Sequence, residues 1–231
     1  MELTFAYQAK FMTYGNMDLK IFGYEALLRV KNIDGSILTP ESLIYLNRNN
    51  PLFDYQIILL LVKESNQYKD IFINVNLSLN ISPIFLETLT SSEIEALSQI
   101  KCKELELEIL ESEKFSNYEL VNSNISSLRK KIKGVKITLD DFGKDYSCYE
   151  RLIKLDKVDC IKIDKEIVSL VLDNPKAIKL IKSLIDNTSC KIIAEGVEDI
   201  QVLDLLNSIG VQYYQGYLMS KPSLEPYPIS F

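Results

Sequence analysis

The chain has 231 residues, 47% of them hydrophobic and 25% charged, with a net charge of −6 at pH 7, the composition of a globular protein with room for a sizeable core. It contains no histidine, which excludes Ser-His-Asp and Cys-His catalysis, histidine-ligated metals and histidine–aspartate phosphohydrolase chemistry. The acidic balance, with LRKKIK at residues 128–133 the nearest approach to a basic run, argues against DNA as a partner, because such binding draws on clustered positive charge.

The opening residues, MELTFAYQAKF, lack the basic start and apolar run of a signal peptide. A first strand is predicted over residues 3–11 and a second over 22–30, each rich in apolar and aromatic residues. The segment between them is turn-like and holds no helical pattern, so these two strands are expected to pair antiparallel. Residues 53–65, FDYQIILLLVKES, place apolar side chains at helical spacing. The most apolar stretch, YQIILLLVK at 55–63, is far too short to span a bilayer, so no membrane segment is expected in this chain. A third strand is read over 70–78 (DIFINVNLS) and a fourth over 103–110 (KELELEIL). Residues 116–134 read as a helix that starts at a Ser116 cap and stops at Gly134. Strands follow over 135–142 and 159–164, and Pro175 is expected to break residues 165–185 into two helices. A strand over 191–197, a helix from Asp199 to Gly210 and a last strand over 213–220 complete the pattern. The cysteines, Cys102, Cys148, Cys160 and Cys190, show no CxxC spacing. They read as reduced thiols of a cytoplasmic protein rather than a zinc or redox site.

Alternating strands and helices argue for a parallel sheet with crossover helices. Eight strands in a chain of this length predict a (β/α)8 TIM-like barrel of the α/β class with an antiparallel first strand. An open doubly wound sheet is the competing architecture, but no GxGxxG loop follows an early strand. With no Pro/Gly/Ser-rich linker, residues 1–231 read as a single domain.

Polar residues recur where these strands end: Glu25, Asn76, Glu108, the adjacent Asp140 and Asp141, Lys162, Glu195 and Gln215. In a barrel the C-terminal strand ends converge on one mouth, where active sites lie. Carboxylates and an amide oxygen are hard ligands that suit Mg²⁺ or Mn²⁺, and two such ions clamp a phosphoryl group and activate water. Singly, each residue has an ordinary reading. Asp140 suits the cap of a helix beginning near Ser147, Lys162 suits a snorkelling strand-end lysine, and Glu106, between Leu105 and Leu107, suits a structural or solvated acid. Their recurrence at successive strand ends favours a site.

The motifs YEALLR (24–29), NVNLS (74–78), LELEILES (105–112), LDDFG (139–143), IKIDK (161–165), IAEGVED (193–199) and YQGYLMSKP (214–222) together resemble the EAL domain family of cyclic di-GMP phosphodiesterases. The resemblance covers nearly the whole chain, in order. It implies a barrel with an antiparallel first strand and cleavage of one phosphodiester of cyclic di-GMP to linear pGpG by two Mg²⁺ or Mn²⁺ ions, with Ca²⁺ inhibiting. By motif position, Glu25, Asn76, Glu108 and Asp140 would hold the first metal, and Asp140, Asp141 and Glu195 the second. Lys162 and Glu195 would orient or deprotonate the attacking water. Gln8, Arg29, Gln215 and Pro222 would meet the substrate, with Glu111, Asp164 and Glu198 in support. The resemblance also implies a homodimer formed through helices near the loop after LDDFG.

That loop departs from the family pattern. The family's usual Thr-Gly-Tyr-Ser-Ser is replaced by Lys144, Asp145, Tyr146, Ser147 and Cys148, and the family's "EITE" threonine and "QP" proline are Leu110 and Ala9. An active phosphodiesterase is the first reading. A domain that binds cyclic di-GMP with little turnover, or serves protein interaction, is the alternative. Without the resemblance, a magnesium-dependent barrel enzyme acting on carbanions with Lys162 as base would remain.

Overall fold

The structure is a computed structural model that describes residues 2–14, 18–111, 113–144 and 147–227. Asp145 and Tyr146, part of the altered loop, lie outside the described residues. The strands are β1 (Glu2–Tyr14), β2 (Asp18–Lys31), β3 (Ile37–Leu38), β4 (Asn76–Ile81), β5 (Glu104–Ile109), β6 (Lys136–Phe142), β7 (Cys160–Ile163), β8 (Lys191–Ala194) and β9 (Tyr213–Tyr214). The helices are α1 (Glu41–Asn47), α2 (Pro51–Gln67), α3 (Lys69–Phe72), α4 (Pro83–Glu87), α5 (Ser91–Ser98), α6 (Tyr118–Lys131), α7 (Ser147–Lys154), α8 (Lys165–Ser169), α9 (Pro175–Asn187) and α10 (Ile200–Ser208).

The sheet runs β1-β9-β8-β7-β6-β5-β4-β2-β3, and β1 also pairs with β2, so the ring closes with β3 outside it. β1 is antiparallel to both its neighbours, β2 and β9, while β2 and β4 through β9 pair in parallel. This is the expected TIM-like barrel, with its expected antiparallel first strand. Strand alternation divides the residues into two sets. Leu77, Leu79 and Ile81 of β4, Leu105, Leu107 and Ile109 of β5, and Ile161 and Ile163 of β7 belong to the apolar core with the helices. Each such buried side chain contributes roughly 1.5–3 kcal/mol. The intervening residues, among them Ser78, Glu106, Glu108 and Lys162, are buried polar groups that bond to one another across the barrel interior.

The helices form where apolar spacing and caps agree. In α2, Phe53, Ile57, Ile58 and Leu61 are buried at helical intervals behind Pro51 at the first turn. In α9, Pro175 occupies the helix start and Asn174 caps it, so the predicted break at Pro175 is a chain stop followed by a new helix. Asp199 caps α10. The cap of α6 is Asn117, whose side chain accepts from Leu120 N at 3.0 Å, and not the expected Ser116.

The third predicted strand is the main departure. Residues 69–72 form α3, with Phe72 N bonded to Tyr68 O at 3.1 Å, and the strand spans Asn76–Ile81 instead of 70–78. Phe72 is fully buried against Tyr7 and Tyr24. A buried aromatic in a helical turn reads in sequence like the start of a strand. The last predicted strand is also shorter, ending at Tyr214. A Cβ on Gly216 would lie 2.1 Å from Val197 O, so only glycine lets the chain turn there against the β8 loop.

Candidate active site at the barrel mouth

Lys162 is the centre of the mouth. Its ammonium, on β7 and 1% exposed, lies 2.7 Å from Glu108 Oε2, 2.8 Å from Glu195 Oε1, 2.9 Å from Asp140 Oδ1 and 3.3 Å from Glu25 Oε2. One cation thus faces carboxylates from β2, β5, β6 and the end of β8. One ammonium facing four carboxyl groups leaves an excess of negative charge that invites further cations.

Glu25 is tied on its other side. Its Oε1 accepts from Asn80 Nδ2 at 2.7 Å and its Oε2 from Gln215 Nε2 at 2.7 Å. Gln215 also donates to Gln8 Oε1 at 3.0 Å, and Gln8 donates to Ser220 O at 3.0 Å. These bonds gather Gln8, Glu25 and Gln215 into one buried layer. Pro222 lies on the same rim, next to Ser223, which exchanges backbone hydrogen bonds with Tyr7. Arg29 is four residues beyond Glu25 on the same strand, hence on the same face, and donates to Leu28 O.

The strand rule that predicts opposite faces for Asp140 and Asp141 is broken by a β-bulge. Leu139 pairs with Ile161 and Phe142 with Ile163, so β6 spends one residue more than β7 over that interval. Asp141 absorbs the insertion at φ 46°, a left-handed conformation that aspartate tolerates better than most residues. Asp140, Asp141 and Glu195 thereby bring carboxylate oxygens within 4.8 Å of one another. Gly143 follows at φ 106°, where a Cβ would lie 2.1 Å from Ile167 Cδ1.

The electrostatics separate the carboxylates. Burial pushes Glu195 up to about 7, only partly opposed by Lys162. Burial also holds Asp140 well above the usual carboxylate range, with Glu195, Glu108 and Glu25 adding to the rise against Lys162. Burial opposes the charge on Glu108 as well, yet Lys162 and Lys10 outweigh it and hold the group down at about 2. Lys162 is raised above its ordinary value because four carboxylates outweigh its desolvation.

The expected Asn76 does not join this group. Its amide donates to Glu106 Oε1 at 2.7 Å and Glu104 Oε2 at 3.2 Å, near the opposite end of the barrel. Its place beside Glu25 is taken by Asn80, four residues on, which pairs in register with Glu108. Asn80 Oδ1 and Gln215 Oε1 are buried with no hydrogen-bond partner among the described residues. Two orphaned hard oxygens beside clustered carboxylates are what a divalent cation would satisfy, so the residues present fit Mg²⁺ or Mn²⁺.

The supporting residues divide. Glu111 is 3.4 Å from Lys144 Nζ, and Lys144 lies 2.9 Å from Asp141 Oδ2, so the altered loop places a cation beside the metal-ligand candidates. Asp164 caps α8 by accepting from Glu166 N at 2.7 Å. Glu198 is exposed in the loop after β8. Glu106 is a buried structural acid, bonded to Lys10 and Asn76. Sequence reading missed Asn80, Lys10 and Arg151. The buried Arg151 side chain of α7 donates to Leu110 O at 2.7 Å and to Glu113 O, fastening the loop that carries Glu111.

A family model described as "EAL domain" matches residues 1–222. The chain is 34% identical over 210 residues to the probable cyclic di-GMP phosphodiesterase PdeA of Escherichia coli (strain K12), a match over 87% of this chain and 28% of that one. It is 35% identical over 220 residues to the probable cyclic di-GMP phosphodiesterase PdeB of the same organism, covering 87% of this chain and 40% of that one. The chain therefore spans well under half the length of these relatives. A crystal structure of an EAL domain protein from Listeria monocytogenes EGD-e superposes with a TM-score of 0.75 at 28% identity, over 96% of this chain and 88% of that chain.

Proposed function

The chain belongs to the EAL domain family, and on that premise we propose that it hydrolyses cyclic di-GMP to linear pGpG at the barrel mouth, within one domain spanning residues 1–231. The observation that carries this reading is the convergence of Glu25, Glu108, Asp140 and Glu195 on Lys162, with Asn80 Oδ1 left unpartnered beside them. Asn80, with Glu25, Glu108 and Asp140, would hold one Mg²⁺ or Mn²⁺ ion, and Asp140, Asp141 and Glu195 a second. When bound, such ions polarise a phosphoryl oxygen and lower the pKa of water.

The chain's own groups supply the rest. Glu195, beside Asp140 and Asp141 and 2.8 Å from Lys162, would accept a proton from an attacking water held at the cations. The Lys162 ammonium stands 2.8 Å from it, placed to orient that water and to offset negative charge as it develops. Gln215 holds the Glu25 carboxylate and Gln8 holds Gln215, and Arg29, with Pro222 on the rim, would meet the substrate, its planar fork suiting phosphate oxygens. A homodimer would use the exposed Tyr149 and Ile153 of α7; a monomer mass in light scattering would remove that part of the reading.

Glu25→Ala tests the site directly. Turnover should fall by at least about 100-fold, since removing one stabilising group commonly costs that much, while the far-UV spectrum stays that of the wild type. Unchanged turnover would refute the assignment. A receptor without turnover is the second reading, favoured by the Lys144–Asp141 ion pair. Tight binding of uncleaved cyclic di-GMP in Mn²⁺ would establish it.

A further inference from the structure

Beneath the mouth lies a second polar layer that the proposed chemistry does not use. Lys10 is in register with Gly23, two residues below the Gln8–Glu25 pair, and its side chain is fully buried. The ammonium makes a close ion pair with Glu106, lies 3.0 Å from Ser78 Oγ and 3.3 Å from Glu108 Oε1. Those contacts use its three donors. Below it, a bulge opposite Phe11 turns Phe22 inward, with the ring centroid 5.7 Å from Lys10 Nζ and 5.1 Å from the Tyr213 ring. Gly23, opposite Lys10, lets β4 approach closely; a Cβ there would lie 2.9 Å from Asn76 O. An aromatic floor below and carboxylates above leave the ammonium no route to water.

Glu108 is therefore held from two sides. Lys10 takes Oε1 from below, and Lys162 takes Oε2 at 2.7 Å from the mouth. Asn76 and Ser78, two residues apart on β4, complete the lower layer, Asn76 through Glu106 and Ser78 through Lys10. TIM-barrel interiors are ordinarily packed with branched apolar side chains, so a lysine–glutamate pair here needs a reason other than packing. A buried pair is weak grounds for stability, because desolvation offsets its attraction.

We propose that Lys10 is a positioning residue for the metal centre: it anchors Glu108 Oε1 from beneath, so that the carboxylate presents its other oxygen to the mouth in a fixed plane. This rests on the phosphodiesterase reading only for the role of the centre. The positioning itself concerns cation binding, which is measured separately.

The test uses the paired variant Lys10→Met/Glu106→Gln. It removes one charge of each sign, so the net charge of the barrel interior is unchanged and no lone buried charge is left. Manganese binding to metal-free protein is read by calorimetry, stability by thermal unfolding in EDTA, and turnover of cyclic di-GMP by chromatography. Groups that orient metal-ligating carboxylates typically contribute 10–100-fold in affinity or activity. The expected result is manganese affinity at least about tenfold weaker, with kcat lowered and KM within about threefold, while the unfolding temperature is unchanged or higher. Unchanged manganese affinity in a folded variant would overturn the proposal, as would wild-type protein that binds no manganese. Should the paired variant fail to fold, Lys10→Arg provides the second reading: retained folding with unaltered manganese affinity and kcat overturns the proposal, since Arg's larger planar group cannot reproduce these contacts. Wild-type protein that binds manganese but leaves cyclic di-GMP intact refutes the phosphodiesterase reading alone, and the calorimetric comparison still decides Lys10.

Discussion

Asn76 and Asn80 lie on one strand face, and only one meets Glu25. Asn80 Nδ2 is 2.7 Å from Glu25 Oε1, whereas Asn76 is occupied with Glu106 and Glu104. Asn80→Ala should weaken manganese binding at least tenfold by removing a hard oxygen from the site. Asn76→Ala should leave affinity within about threefold and cost about 1–3 kcal/mol of stability, because Glu106 loses a buried donor. Calorimetry and urea unfolding of the two variants check this, and the reverse order of metal affinities would return the role to Asn76. Of the residues read as strand-end groups, Glu108, Asp140, Asp141, Lys162, Glu195 and Gln215 lie at or just past the ends of their strands, whereas Glu25 lies six residues inside β2, which runs on to pair with β3. Asp141 joins Asp140 as motif position implies, but the bulge at φ 46° that lets two adjacent strand residues share a face was not legible, since alternation puts them on opposite faces. Nor could the sequence show that Lys10, flanked by Ala9 and Phe11, points into the barrel beside Glu106.

At the scale of elements, the same kind of error has one source. Residues 69–72 form a helical turn rather than the first half of a strand, so the strand ends at Ile81 and its mouth residue moves from Asn76 to Asn80. Hydrophobic period alone does not separate a short buried helix from a strand. Caps and breaks were more legible: Pro175 and Asp199 mark helix starts as expected. The loop after β6 carries its own expectation. Lys144 bridges Asp141 at 2.9 Å and Glu111 at 3.4 Å while about half exposed, so its ion pairs are worth at most about 1 kcal/mol. Lys144→Thr removes a cation that competes with metal for Asp141, and manganese affinity should rise by up to about fivefold. Calorimetry reads this directly, and weaker binding in the variant would show that Lys144 supports the site instead.

For the whole molecule, the barrel was readable because eight apolar runs alternated with helical patterns, and the helix-free first connection foretold the antiparallel first strand. The polar interior was not, since it depends on which side chains the closed ring brings face to face. Stability should carry the mark of another buried acid. Asp54 on α2 accepts from Ser82 N at 2.8 Å and Ser82 Oγ at 2.7 Å, and burial pushes it from 3.8 to about 6. A folded pKa above the unfolded one contributes stability that is full below about pH 4 and lost as pH rises through about 6. Relative to wild type, Asp54→Asn should therefore gain about 2 kcal/mol between pH 4.5 and pH 8. Urea unfolding in EDTA at the two pH values measures it, and a pH-independent difference would contradict the assignment.

The most direct measurement is chromatography of cyclic di-GMP incubated with the purified chain in Mg²⁺, Mn²⁺, Ca²⁺ or EDTA. Hydrolysis at a carboxylate-held metal centre predicts pGpG in Mg²⁺ or Mn²⁺ and intact substrate in Ca²⁺ and in EDTA. Intact substrate in every tube, or equal cleavage in EDTA, would contradict it.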